Sequence, residues 1–170
     1  GVDMKAAIKR TIPAPVWGLA RDLYLGLRRM PEALEASRHP WRRESIARLA
    51  GWKDKCRGQR AFIIGNGPSL KQTDLGKLRN EITFGMNRIY LMFPELGFKT
   101  TYLSVVNDLV IEQTAKDIAA LDIPKFLTWR ARRFFDKTQF AGNNYEKLPT
   151  FLYTTYDSPN FSPDVRWRVW

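Results

Sequence analysis

Gly65-Asn66-Gly67-Pro68-Ser69 sets two glycines, an amide and a hydroxyl at the end of the apolar run Ala61-Phe62-Ile63-Ile64. The chemistry such a set suits is phosphate binding. Glycines lack a Cβ, so they can take positive φ and let anionic oxygens close to the main-chain N–H groups. Asn66 brings a donor and an acceptor, and Pro68 stiffens the exit. Ser69 is positioned to cap a helical turn whose free N–H groups favour negative charge. An ordinary strand-to-helix turn has the same composition, so spacing alone leaves both readings open. The loop is not a Walker loop, because no Gly-Lys-Ser/Thr follows, and it lacks the third glycine of the dinucleotide fingerprint.

Further polar residues fall where strands should end. Asn87 follows the run ending at Phe84 and can bond a ribose, base or phosphate, or form a turn. Beside it, Arg88 can neutralise a phosphate or lie in water. Asn107 and Asp108 follow Thr101–Val106. Asp108 reads either as the N-cap of the next helix or as a catalytic or Mg²⁺-linked carboxylate. Arg130, Arg132 and Arg133 follow another strand and can stabilise a leaving diphosphate or form a solvated face. Tyr153, Tyr156 and Asn160 are candidates for acceptor recognition, with packing and turn formation as the simpler roles.

Three segments carry a resemblance: Ile64-Gly65-Asn66-Gly67-Pro68-Ser69-Leu70, Thr83-Phe84-Gly85-Met86-Asn87-Arg88 and Val106-Asn107-Asp108. Together they resemble the 6-hydroxymethylpterin diphosphokinase MptE-like family, which includes motility accessory factors of flagellin glycosylation. The glycine loop is also similar to that of bacterial CMP-sialic acid transferases. The likeness runs from about Arg60 onward. It implies a Rossmann-like sheet that binds a nucleotide or nucleotide sugar through Gly65, Asn66, Gly67, Pro68 and Ser69, with Asn87 and Asn107 beside the donor. It implies a transferase, of a glycosyl group in surface glycan assembly or of diphosphate from ATP to a pterin alcohol, the latter with Mg²⁺. Members of the resembled family continue with further strand and helix units, so the resemblance implies a piece of a larger domain. The base histidine of the similar sialyltransferases has no counterpart, His39 lying in the wrong region.

These residues need elements to hold them. Ala61–Ile64, Glu81–Phe84, Thr101–Val106, Lys125–Thr128 and Thr150–Thr154 read as strands and Leu109–Leu121 as a helix. Alternation with short connections predicts an α/β fold, a Rossmann-like, mostly parallel sheet with flanking helices over residues 59–170. Before it, residues 1–58 read as a basic, amphipathic helical arm. Val16, Leu19, Ala20, Leu23, Tyr24, Leu27 and Met30 recur at helical spacing, and Pro31 is expected to end that helix. A second helix is expected from Pro40 to about Cys56, with Trp41, Ile46, Leu49, Ala50 and Trp52 on its apolar side.

The chain of 170 residues has a net charge of +11, and residues 1–60 hold 14 Lys/Arg against 6 Asp/Glu. That excess attracts anions at long range, and charge alone does not choose among phosphates, anionic lipid and nucleic acid. Helical periodicity of the aromatic residues, with no stacking platform, counts against nucleic acid. The arm either packs on protein or rests peripherally on an anionic membrane surface, and with the latter the chain reads alternatively as a non-catalytic membrane-surface or nucleotide-binding adaptor. A single cysteine, Cys56, makes no internal disulfide, and no secretory signal is evident. The expected location is therefore cytoplasmic.

Overall fold

The structure, a computed structural model, describes residues 14–136 and 148–153. Tyr156, Asn160 and the end of the fifth expected strand lie outside the described residues. The chain divides into two compact units between His39 and Pro40, well before the change in composition near Gly58.

The first unit contains helix α1 (Ala14–Arg38), which runs through Pro31. Pro31 does not end this helix. Proline removes one N–H and crowds the preceding turn, but it leaves the residues after it free to be helical. Here they are Glu32-Ala33-Leu34-Glu35-Ala36, all of them strong helix formers, and the helix resumes.

The second unit is a five-stranded, all-parallel sheet with flanking helices, a Rossmann-like α/β fold. Helix α2 (Pro40–Trp52) leads into β1 (Ala61–Ile64), β2 (Ile82–Met86), β3 (Tyr102–Val105), β4 (Lys125–Thr128) and β5 (Thr150–Leu152). A four-residue helix, α3 (Phe93–Leu96), lies between β2 and β3, and helix α4 (Asp108–Ala120) between β3 and β4. Helix α2 stops at Trp52, four residues short of the expected end. Asp54 takes a left-handed φ of 59°, which no helix continues through.

Spatial order follows chain order, β1-β2-β3-β4-β5. Parallel crossovers are right-handed as a rule, and under that rule connections that all step the same way lie on one face. Gly85 in β2 faces that side, where Ile89 and Thr100 lie. Leu103, Val105, Leu127, Ile111 and Ile118 are fully buried. The opposite face is aromatic: Phe84 lies 4.7 Å from Tyr102, and Trp52 of α2 meets Tyr102 edge-on at 5.2 Å.

Sequence periodicity expected α2 to dock by its apolar side, and Trp41 and Leu49 are indeed buried. Polar contacts supplement that apolar face. The Phe151 N–H of β5 donates to Ser45 Oγ (2.9 Å), and Arg48 donates to Leu148 O (2.6 Å). Trp41 stacks on Phe151 at 5.5 Å. A sheet edge with open N–H and C=O groups is thereby covered by side chains of a basic helix. Buried Lys125 similarly satisfies the chain beyond α4, donating to Leu121 O (2.6 Å) and Ile123 O (3.1 Å).

Tyr102 opens β3, and its hydroxyl lies 3.8 Å from Cys56 Sγ. Burial, then the Cys56 hydrogen bond, pushes the Tyr102 phenol up to about 12. A raised phenol pKa gives stability that is complete below the unfolded value of about 10 and is lost as pH rises toward 12. Alkaline denaturation followed by circular dichroism should therefore be less steep between those values in Tyr102→Phe than in the parent. Equal pH dependence in the two proteins would show that Tyr102 does not drive it. Cys56 thus meets the first residue of β3, at the amino end of that strand.

Candidate phosphate site at the carboxyl edge

All four positions with chemical promise lie beyond carboxyl ends of neighbouring strands: Gly65–Ser69 after β1, Asn87 and Arg88 after β2, Asn107 and Asp108 after β3, and the arginines after β4. Strands lie about 4.8 Å apart, so the first three ends fall within roughly 10 Å and the arginines a further step away. Strand order shows no reversal among the described strands, so the edge is a row of loops and not a crevice between diverging halves.

Gly67 departs from the expected conformation. Its φ of −70° and ψ of 156° are extended, and among the described glycines only Gly58 and Gly97 have positive φ. What the glycines contribute is space. A Cβ at Gly65 would meet nothing within 4 Å, and one at Gly67 only Ser69 Oγ at 3.7 Å. The main chain here is open to an approaching oxygen. Gly67, not Ser69, occupies the cap position of the 3₁₀ turn Pro68–Gln72 and accepts from Leu70 N (3.0 Å). The Asn66 and Gly67 N–H groups have no partner among the described residues.

Asn66 is the strut of this loop. With its nitrogen toward β2, the side-chain amide donates to Met86 O (2.5 Å) and accepts from Ile89 N (3.2 Å). In that orientation the amide ties the β1 loop to the β2 loop, while the main-chain N–H of Asn66 stays without a partner among the described residues. Sequence reasoning gave the side chain a direct ligand role and missed this bridge, because Met86 and Ile89 come near only through the β1–β2 pairing.

Asn87 carries the left-handed φ of 51°, one of two such non-glycine residues among those described. Its N–H donates to Ser104 O (3.1 Å), extending the β2–β3 ladder by a residue, and its side chain turns off that ladder without a hydrogen bond among the described residues. Backbone strain of this kind gathers at binding sites. Arg88 follows, exposed, with no ion pair among the described residues. Exposed Lys71, in the turn after the loop, is a second cation at this edge that sequence reasoning missed, although its place two residues after Ser69 was a signal.

Asn107, not Asp108, is the N-cap of α4: its Oδ1 accepts from Leu109 N (3.0 Å) and Val110 N (3.4 Å). Asp108 falls at the first helical position, where the dipole favours a carboxylate. Its Oδ1 is buried without a hydrogen-bond partner among the described residues. An unsatisfied buried oxygen costs roughly 1–3 kcal/mol, which a bound cation or donor offsets. Among the described residues no group of three or more His, Cys, Asp or Glu side chains could hold a metal ion.

Arginines after β4 are drawn partly inward. Arg132 donates to Trp129 O (3.2 Å) and lies 4.4 Å over the Trp129 ring, while Arg133 lies 4.8 Å over Phe134. Arg130 is exposed. Half-buried Tyr153 comes after β5, at the far end of the row.

Comparison with protein-family models, curated proteins and solved structures finds no match to this chain.

Proposed function

We propose that the second unit is a transferase domain that grips the phosphates of a nucleotide or nucleotide sugar at Gly65–Ser69, serving glycosyl transfer. The observation that carries this reading is the open main chain at Asn66 and Gly67, whose N–H groups have no partner among the described residues and are fixed by the Asn66 side-chain bridge. Rigid amides need no reorganisation when charge develops on a departing phosphate, which is how such donors lower a barrier. Arg88 and Lys71 add positive charge at the same edge, and Asn87 and Asn107 flank the donor.

In this reaction an acceptor hydroxyl attacks the anomeric carbon, and the bond from that carbon to the phosphate oxygen breaks. The nucleotide leaves with the electron pair, and Asp108 takes the hydroxyl proton. Asp108 Oδ1, with no partner among the described residues, also favours a second reading: attack of a pterin-type hydroxyl on the β-phosphorus of ATP, with AMP leaving. Mg²⁺ would there supply charge neutralisation on the phosphates.

Titration calorimetry separates the two. Glycosyl donor binding predicts that CMP binds without Mg²⁺ and cytidine does not. Diphosphate transfer predicts that ATP binds only with Mg²⁺ and that Asp108→Asn loses this dependence. If cytidine matches CMP, or if CMP, ATP and GDP all fail to bind with and without Mg²⁺, the phosphate grip is wrong.

A further inference from the structure

Helix α1 carries a feature that the nucleotide reading leaves unused. Val16, Leu19, Leu23, Tyr24, Leu27, Met30 and Leu34 are all large, apolar or aromatic, and all between 46% and 73% exposed. At 100° per residue they cluster with Ala20 on one broad face, nearly five turns long. Trp17, 42% exposed, stands with Tyr24 along one margin of that face. Arg21 and Arg28 fall just outside the same margin on the helical wheel, and both are exposed.

Two occupants suit an apolar helix face of this size, a second copy of the chain and a lipid surface. Val16, Ala20, Leu23, Leu27, Met30 and Leu34 are spaced alternately by four and three, as in a coiled-coil seam. The positions flanking that seam decide the matter. In paired helices they carry charges that select the partner. Here they are Trp17, Tyr24 and Pro31 on one side and Leu19, Gly26 and Ala33 on the other, without a charge among them. Apolar character thus spreads beyond a seam, and a proline interrupts one flank.

Charge points the same way. Residues 1–30 contain Lys5, Lys9, Arg10, Arg21, Arg28 and Arg29 against Asp3 and Asp22. Asp22 forms only an exposed ion pair with Arg21 at 3.2 Å, a weak contact that a headgroup phosphate can replace. Acidic Glu32 and Glu35 come only after Pro31. Broad apolar face, aromatic margin and adjacent arginines are the features of a helix that lies in the headgroup layer of an anionic bilayer, its rings at the interface and its guanidinium groups on lipid phosphates. Among the described residues no helix is long and apolar enough to cross a membrane, so the geometry is that of lying on the surface.

We propose that α1 binds the surface of an anionic lipid bilayer through the face from Val16 to Leu34, with Arg21 and Arg28 contacting headgroup phosphates. This surface belongs to the first unit and does not depend on the nucleotide site.

The test is co-sedimentation of the full chain with vesicles of phosphatidylglycerol and phosphatidylcholine, or of phosphatidylcholine alone, with sedimentation velocity in the absence of lipid. The parent should bind the anionic vesicles at least tenfold more tightly than the neutral ones, and 0.5 M salt should weaken that binding. Leu23→Glu with Leu27→Glu alters two exposed positions, so folding is retained by circular dichroism while vesicle binding falls at least tenfold. Arg21→Gln with Arg28→Gln should lose the preference for anionic lipid and keep residual binding. Equal binding to both vesicle types, or undiminished binding in the double glutamate variant, would overturn the proposal. A stable dimer without lipid that Leu23→Glu with Leu27→Glu dissociates would also overturn it, assigning the face to a second copy.

Discussion

Gly85→Ala should lower thermal stability by about 3 kcal/mol, the upper part of the range for overpacking a core, and so lower the melting temperature by roughly 6–12 °C. Its Cβ would sit 2.4 Å from Ile89 Cγ2, 2.8 Å from Thr100 Oγ1 and 3.1 Å from Thr100 Cγ2. Neither neighbour can step aside cheaply. Ile89 and Thr100 are buried to within a per cent, and both are β-branched with stiff χ1 angles. Relief would have to come from moving Ile89, whose N–H is held by the Asn66 amide at 3.2 Å. Strain at Gly85 is therefore passed through that contact to the β1 loop. Calorimetric melting of the variant checks the prediction, and a melting temperature within 2 °C of the parent would show that the packing around Gly85 is looser than described.

Gly67→Val has the opposite profile. The residue's φ and ψ are those of an extended strand, a region that valine prefers, and its Cβ would meet only Ser69 Oγ at 3.7 Å. Folding should be unaffected. The added isopropyl group, however, fills the space over the Asn66 and Gly67 N–H groups. Loss of one or two hydrogen bonds to a charged phosphate corresponds to about 100-fold weaker nucleotide binding or more. An unchanged melting curve with affinity reduced by that factor is the expected pair of results in calorimetry. Retained affinity would move the phosphate to another part of the edge, with Arg88 or Arg130 the next groups to test.

The contrast between these glycines shows what a sequence reading could and could not supply. Strand β1, strand β4 and helix α4 were legible because buried parallel strands are short apolar runs and α4 keeps helical periodicity. The edge along which Gly65–Ser69, Asn87 and Asn107–Asp108 align was legible too, since each follows such a run. Which glycine is needed for folding was not, because Gly85 is set by Ile89 and Thr100 across the sheet face. The Asn66 bridge was hidden for the same reason. Docking of α2 through Ser45 and Arg48 was missed because hydrophobic periodicity is blind to a polar side chain that completes a strand edge. Pro31 misled because proline weakens one turn and says little about the helix formers after it.

Main-chain N–H groups at the β1 loop binding a phosphoryl group are the central claim, and amide resonances report on them directly. Titrating CMP into the ¹⁵N-labelled chain, with cytidine as the control, should shift the amides of Asn66, Gly67 and Ser69 most, with smaller changes at Asn87 and Arg88. Saturating shifts confined to other segments, or equal shifts from cytidine at the loop, would contradict the account.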